Sequence, residues 1–165
     1  MRFLAYEVNL NSMEIIDKLD NNNRLDERRA QVLCILLSHF SRAEPKEKTG
    51  KLVNFRDLPG GYAYDYAFTY RAVKPISGTF GEEPTRLIET GKTLGGNIRF
   101  FGSFRRNPSL PLIPLVYILW AKDDFPASAN VLFDESASHF LPTEDLAVLA
   151  EITTIRLQEA NRIIR

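Results

Sequence analysis

The sequence predicts an α+β fold in which an antiparallel sheet, with a buried hairpin over residues 115–133 at its centre, is covered by several helices. The run LVYILWA at 115–121 is apolar throughout, as in a strand that is covered on both faces. Apolar residues recur at helical spacing in 26–43 and 144–164, which are therefore two of the covering helices. A chain of 165 residues with 44% hydrophobic content can bury one core, so we expect a single domain over 1–165.

Charge and composition exclude several classes of protein. Lysine and arginine equal aspartate and glutamate at 21 each, so no global field favours nucleic acid or an anionic membrane. Cys34 is the only cysteine and there are two histidines, so we expect neither a disulfide nor a dedicated site for a soft metal. The sequence carries neither a signal-peptide pattern nor an apolar run of about 18 residues, which predicts a cytoplasmic protein.

The chain is expected to begin with a hairpin and a helix. Residues 3–10 are rich in aromatic and branched side chains, and the turn formers Asn11 and Ser12 follow them, as in a short hairpin. A strand so near the start is expected to leave a sheet edge that a second copy would cover, so a homodimer is one expectation. Asp26 is placed to cap the helix that runs through residue 43.

A glycine turn after the charged loop at 44–51 is the first candidate ligand site. Pro59, Gly60 and Gly61 force a turn immediately before a predicted helix, and amides freed by two glycines at a helix start can bind an anion. Arg56 would supply the fork that pairs with phosphate or carboxylate. The alternative is that these residues only turn the chain, since neither a Walker sequence nor a GxGxxG pattern is present.

Aromatic residues alternate from position 62 to position 70, as they would in a strand, but Tyr62, Tyr66 and Val73 also share one helical face. We predict a helix. An aromatic stripe is typical of a core, yet every buried tyrosine hydroxyl needs water or a partner. We therefore expect Tyr62, Tyr64 and Tyr66 to line a wet groove beside the glycine turn.

The middle third is expected to be mostly helical. Pro75 should interrupt or restart the tyrosine helix, and Gly81 should close it. Pro84 opens another helix, which should stop at Gly95 and Gly96.

A strand with a candidate bulge at Gly102 is predicted over 97–104. The basic pair at 105–106, which we expect to be solvated, precedes Asn107-Pro108, and this dipeptide predicts a turn. Three prolines by position 114 should keep the approach to the next strand extended.

The central hairpin carries an acidic pair after each of its strands. Residues 123–124 follow the first strand, and 134–135 follow the returning strand over 129–133. The two pairs should therefore lie at opposite ends of that strand, roughly 17–23 Å apart, and one active site cannot use both. The last helix, 144–164, has a wide apolar stripe that is expected to pack against the sheet.

Asp134, Glu135, His139 and Glu144 are the second candidate site, because the last helix begins close to the end of the hairpin. Gathered at one rim, they would bind a hard cation or a cationic ligand, or provide a general base. An enzyme would then use Asp134 or Glu144 as base and His139 as acid. The alternative is capping and solvation, with Thr143 as the cap, since no EF-hand, HExxH or nucleophile-elbow spacing is present.

Four segments resemble, in order and spacing, the signature of the domain of unknown function 3786 family, and together they extend over most of the chain. They are WAKDDFPASANVLFDESASHFLPTEDLAVL at 120–149, LPGG at 58–61, KPISGTFGEEP at 74–84 and LGG at 94–96.

The resemblance implies little chemistry, because the family has no established activity and supplies no catalytic residues. Its members are typical of anaerobic bacteria and archaea, and some carry a cysteine-rich iron–sulfur segment. Cys34 alone cannot hold such a cluster, so a cluster would have to come from a partner, and any cofactor is left open. Longer members also have an upstream portion, which this chain is expected to lack.

The leading hypothesis is a binding or accessory module without catalysis, in anaerobic metabolism, for a small anionic molecule or a protein partner. Arg56, Gly60 and Gly61 would hold the anion, and tyrosines from Tyr62 onward would line the groove. One alternative is an enzyme that uses the acidic rim. A third hypothesis, a structural subunit of a protein complex, follows from the exposed edge strand at the start of the chain.

Overall fold

A computed structural model describes residues 1–9, 11–12, 14–20, 25–44, 46–98, 104–110 and 113–164, of which 97–98 and 104–110 are described by their backbone alone. Helices and two antiparallel sheets make up this part of the chain, which confirms the α+β class. The strands are β1 (Arg2–Phe3), β2 (Tyr6–Asn9), β3 (Glu14–Asp17), β4 (Leu52–Asn54), β5 (Asn97–Ile98), β6 (Phe104–Leu110), β7 (Ile113–Trp120) and β8 (Ser128–Asp134). The helices are α1 (Glu27–Arg42), α2 (Gly61–Phe68), α3 (Lys74–Phe80), α4 (Pro84–Thr93), α5 (Ala137–Phe140) and α6 (Thr143–Ile164).

The small sheet has the order β1-β2-β3, and its β2–β3 pair confirms the predicted hairpin. Leu4 and Ala5 connect β1 to β2 with φ of 49° and 60°. Residues other than glycine rarely adopt this left-handed backbone conformation. The buried side chains of the small sheet and of this connection include Leu4, Tyr6, Val8 and Ile15. The sheet therefore packs one apolar face into the core, and the homodimer expected from its edge stays a prediction.

The larger sheet has the order β4-β8-β7-β6-β5, so the β7–β8 hairpin occupies its middle, as predicted. Leu115 pairs with Phe133 and Tyr117 with Val131, and all four side chains are buried. The short edge strand β4, which the sequence analysis missed, pairs with the end of β8. Through this pairing the segment that leads into the glycine turn is fixed to the central hairpin.

The predicted turn at Asn107-Pro108 is wrong, because both residues lie inside β6 and pair with β7. Pro108 stands opposite Pro114 in this pair of strands. The register shifts between Pro108 and Leu110. The strand predicted over 97–104 corresponds to β5 and the first residue of β6, while Gly102 lies outside the described residues, as do the side chains of 105–106.

Helix α6 covers the larger sheet, as its apolar stripe predicts. The Tyr117 hydroxyl of β7 donates to the Ala150 carbonyl at 3.2 Å, and the Thr154 hydroxyl donates to the Ala72 carbonyl at 2.7 Å. Both contacts are buried. Helix α6 thus lies between the sheet and the helical segment that follows α2. Within the described residues, no helix has the length and apolar content required to cross a bilayer.

Helix α1 begins where the sequence predicts, since the Asp26 carboxylate accepts from the Arg29 N–H at 3.0 Å. Its buried side chains are Leu33, Leu36 and Leu37. An ion pair joins it to α6 between Arg29 and Glu159 at 2.7 Å, and the His39 ring Nδ1 lies 2.5 Å from a carboxylate oxygen of Asp145. The two predicted covering helices are therefore joined by side-chain contacts at two places.

Arg156 of α6 ties the small sheet to the rest of the molecule. Its side chain is 1% exposed, and its two terminal nitrogens donate to the Asp17 carboxylate at 2.8 Å and 2.6 Å. Its Nε donates to the Leu4 carbonyl at 3.1 Å, and its guanidinium lies 4.0 Å from the centre of the Tyr6 ring. Burial alone would raise the pKa of Asp17, but hydrogen bonds from Arg156 and the backbone outweigh it and lower that pKa.

Candidate ligand-binding site

Both glycines of the predicted anion site have a structural reason to be there. Gly60 has φ of 75°, and a Cβ on Gly61 would lie 2.0 Å from the Phe55 carbonyl oxygen. The Gly61 N–H, one of the amides expected to face an anion, donates to the Leu58 carbonyl at 2.8 Å. The turn itself thus uses part of the donor set, which favours the purely structural interpretation of these glycines.

Arg56 and Tyr62 come together beside the turn. The Arg56 guanidinium carbon lies 5.4 Å from the centre of the Tyr62 ring, within range of a cation–π contact. Arg56 is exposed and has no carboxylate partner among the described residues. The predicted pairing of a cation with the first tyrosine is therefore present, but at the surface of the molecule.

The helix predicted over the tyrosines is confirmed, and it directs them to solvent. The exposed fractions of Tyr62, Tyr64, Tyr66 and Tyr70 are 75%, 47%, 83% and 64%. Phe68 on the opposite side is buried. These side chains therefore form an open helix surface instead of entering the core.

A π-helical turn over residues 69–73 joins α2 to α3, and Tyr70 lies within it. Residues four apart drift around an ordinary helix, and the wider π turn takes up that drift. Tyr62, Tyr66, Tyr70 and Lys74 follow one another at this spacing, and the Lys74 amine lies 5.9 Å from the centre of the Tyr70 ring. We call Arg56, Tyr62, Tyr66, Tyr70 and Lys74 the tyrosine face. Pro75, expected to interrupt or restart the helix, restarts it in the first turn of α3.

Three packed rings hold the tyrosine face in place from beneath. Phe55 and Phe68 stack at 4.1 Å between ring centres, and Phe133 of β8 lies 6.1 Å from the first and 5.9 Å from the second. All three side chains are buried. The turn and α2 are thereby fixed to the central hairpin, so the face above them is presented by a rigid support.

Asp134 of the predicted acidic rim is fully buried. Its carboxylate accepts from the N–H and hydroxyl of Thr49, both at 3.0 Å, and from the Gly50 N–H at 2.8 Å. The Ser136 N–H and hydroxyl donate to it as well, at 3.1 Å and 2.7 Å. Burial would raise its pKa, but these hydrogen bonds lower it to about 2. A carboxylate held in this way is a weak base, and its geometry is that of a clasp between the 44–51 loop and β8.

The other members of the rim have separate partners. Glu135 pairs with Lys51 at 2.7 Å, and the His139 ring Nε2 lies 3.1 Å from the Glu44 carbonyl. Glu144 is exposed in the first turn of α6. No contact in the described part of the chain joins Asp134, His139 and Glu144, and no group of three or more histidines, cysteines or acids there could hold a metal ion.

Thr143, predicted as the cap of the last helix, is instead its first residue. Its hydroxyl donates to the Pro59 carbonyl at 2.6 Å, so it ties the start of α6 to the glycine turn. This contact leaves the predicted capping role of Thr143 without support.

Lys74 belongs to the tyrosine face but was not a candidate in the sequence analysis, and Tyr70 was included there only among the tyrosines from Tyr62 onward. Their signal is present in the chain, as positions 62, 66, 70 and 74 repeat every four residues. The same segment also alternates as a strand would, and that second period concealed the repeat. The sequence also marks Arg156, because it is a charged residue on the apolar stripe of α6, three residues from Thr153.

Comparison with known proteins gives one match. No curated protein and no solved structure matches the chain. The sequence model of a domain of unknown function, DUF3786, matches residues 1–156. The segments quoted for the resemblance all lie inside this match. The chain therefore belongs to the domain of unknown function 3786 (DUF3786) family.

Proposed function

We propose that the protein is a non-catalytic docking module that binds a protein partner through the tyrosine face. The observation that carries the proposal is the exposure of Tyr62, Tyr66 and Tyr70, which runs from 64% to 83%, on one line of a rigidly supported helix. Tyrosine is enriched at protein interfaces, since it offers a large contact area and a hydroxyl at low entropic cost. Three such side chains in line are what a partner surface requires.

The shape of the site favours a macromolecule over a small anion. Small-molecule sites are concave and bury most of the ligand, whereas the tyrosine face is an open helix surface. At the glycine turn, the Gly61 N–H is already bound to Leu58. We therefore favour the protein-partner form of the accessory-module hypothesis, in the cytoplasm and in the anaerobic setting that the family resemblance implies.

The charges at the two ends of the face specify an acidic partner. Arg56 stands beside Tyr62 and Lys74 beside Tyr70, and neither cation has a carboxylate partner among the described residues. A carboxylate that approaches either end would meet a cation and a tyrosine hydroxyl together. An acidic, partly aromatic segment of another protein fits this arrangement, and salt should weaken its binding.

A peptide selection tests the proposal. Random peptides displayed on phage are selected on the wild-type protein, and the affinity of enriched peptides is measured by fluorescence polarisation. We expect sequences rich in aspartate and glutamate whose affinity falls about tenfold or more with Tyr66→Ser and severalfold with Lys74→Gln. Phe125→Ser is the matched control, because Phe125 is an aromatic residue that is 77% exposed elsewhere on the surface.

Two outcomes contradict the proposal. One is that no peptide is enriched above the level found on an unrelated protein. The other is that the enriched peptides bind Tyr66→Ser as tightly as wild type, or lose the same affinity with Phe125→Ser. Because Tyr66 is exposed, its replacement should leave the melting temperature nearly unchanged, so unfolding would not explain a loss of binding.

A further inference from the structure

A cavity of about 460 Å³ lies between α1 and α6, beside the small sheet. Its volume falls within the range of small-molecule sites. One part of its wall is apolar and consists of Val32, Leu33, Val148, Ile152 and Ile155. The other part carries Tyr6 and four arginines, namely Arg28, Arg29, Arg71 and Arg156, together with Asp26 and Glu151. An apolar wall that faces a few polar groups is the usual composition of a ligand pocket.

Tyr6 is a buried residue of the cavity wall, and its side chain carries a hydrogen-bond donor. Its side chain lines the cavity and is 2% exposed, and its hydroxyl has no hydrogen-bond partner among the described residues. Burial outweighs the nearby Arg156 charge and raises the pKa of Tyr6 to about 12, so the hydroxyl keeps its proton at neutral pH. A buried hydroxyl left unpaired is costly, and because Tyr6 lines this cavity, an acceptor bound there can supply a partner.

Two of the four arginines are already engaged. Arg156 binds Asp17 and Glu159, and Arg29 binds Glu159 at 2.7 Å. These two arginines therefore help to join α6 to α1 and to the small sheet.

The other two arginines are available to a ligand. Arg28 lines the cavity, is exposed and has no ion-pair partner in the described part of the chain. Arg71 is 64% exposed, and its nearest carboxylate, Glu151, lies 3.9 Å away, at the limit of an ion pair. Two guanidinium groups thus border the same cavity as the unpaired Tyr6 hydroxyl.

We propose that this cavity binds a small monoanion with an apolar body. The anionic head accepts from the Tyr6 hydroxyl and pairs with Arg28 and Arg71, and the body covers the apolar wall formed by α1 and α6. A neutral analogue loses the ion pairs, and a cationic analogue meets the arginines as like charges. The inference is independent of the tyrosine face, with which the cavity shares no residue.

Three probes of one shape test the charge requirement. They are 4-phenylbutyrate, 4-phenylbutanol and 4-phenylbutylamine, titrated into the full chain and followed by calorimetry and by two-dimensional ¹H–¹⁵N spectra. We expect the acid to bind and to shift resonances of α1 and α6, the alcohol to bind about tenfold more weakly, and the amine to leave the spectrum unchanged.

Two variants test the residues. Arg28→Gln and Tyr6→Phe should each weaken binding of the acid about tenfold, and Tyr6→Phe keeps the ring that lies against Arg156. Arg42→Gln is the control, because Arg42 is an exposed arginine of the same helix that does not line the cavity. Circular dichroism verifies that each variant is folded.

The proposal is overturned if none of the probes shifts α1 and α6, if the alcohol or amine binds as tightly as the acid, or if Arg28→Gln binds the acid like wild type. Should Tyr6→Phe fail to fold, the surface substitution Arg28→Gln still decides the outcome. Unchanged binding in Tyr6→Phe would show that water alone satisfies the hydroxyl, and would remove Tyr6 from the site.

Discussion

The Asp134 carboxylate accepts many hydrogen bonds, and these same bonds make it unreactive as a base. Its carboxylate accepts from two groups of Thr49, two of Ser136 and the N–H of Gly50. These donors stabilise the charged form, which is why the pKa falls to about 2 although the group is buried. The same contacts occupy the oxygens that a general base would need for a substrate proton.

The lowered pKa of Asp134 makes a prediction about acid stability. Its usual value is 3.8 and its folded value about 2, so the carboxylate contributes stability that is complete above the unfolded pKa. That stability is lost as the pH falls from about 5 towards 2. We expect Asp134→Asn to reduce the free energy of unfolding at neutral pH by roughly 2 kcal/mol and to flatten its decline in that window.

Urea denaturation at a series of pH values measures this effect. Asp124→Asn is the control, since Asp124 is an exposed carboxylate of the β7–β8 connection. Its pH dependence should match that of the wild type. A pH slope for Asp134→Asn that equals the wild-type slope would show that the clasp does not contribute to acid stability.

At the scale of the elements, the glycine turn is fixed by steric contact. A Cβ on Gly61 would lie 2.0 Å from the Phe55 carbonyl oxygen, whereas a Cβ on Gly78 in α3 would meet nothing within 4 Å. We expect Gly61→Ala to lower the free energy of unfolding by about 2 kcal/mol or more, because backbone must move. Gly78→Ala should raise it by about 0.5–1 kcal/mol, since alanine favours the helix.

The two glycine substitutions are compared by urea or thermal unfolding under identical conditions. They add the same methyl group, so the opposite signs isolate the steric contact from the general effect of removing a glycine. A stabilising Gly61→Ala would mean that the turn can relax away from Phe55.

Elements whose signals are local were predictable. The Asp26 carboxylate caps α1, Pro84 opens α4, and Gly95 with φ of 81° follows its end. Each of these effects acts within one helical turn and depends on a single residue type.

Elements that depend on distant partners were not predictable from the sequence. Strand β6 contains Asn107-Pro108, which favours a turn in isolation, and only pairing with β7 makes it a strand. The direction of the tyrosines depends in the same way on the π turn and on the packing of Phe55, Phe68 and Phe133. The glycine turn and the helix that carries the tyrosines were therefore readable from the sequence, but the exposure of the tyrosines was not.

At the scale of the whole molecule, α6 is the element to which both sheets are attached. It contacts the larger sheet through Tyr117 and the small sheet through Arg156. The second contact rests on a buried ion pair, in which removal of one partner leaves the other charged and unpaired. The small sheet therefore depends on one side chain more than the central hairpin does.

Hydrogen exchange followed by mass spectrometry tests this dependence. Arg156→Met should destabilise the protein by about 3–5 kcal/mol and should speed amide exchange in β2 and β3 far more than in β7 and β8. Arg162→Met, at the exposed end of α6, is the control and should change neither. Equal acceleration in both sheets would show that the small sheet does not open as a separate unit.

The contacts of Arg156 also determine when, during synthesis of the chain, the small sheet can be fixed to α6. Asp17 precedes Arg156 by 139 residues, and the Leu4 carbonyl precedes it by 152. At about 5–20 residues per second, a ribosome needs roughly 7–30 s to bridge the first interval. For that time the small sheet lacks the guanidinium that Asp17 and the Leu4 carbonyl bind in the folded protein. The small sheet is thus synthesised well before the residue that fixes it to α6.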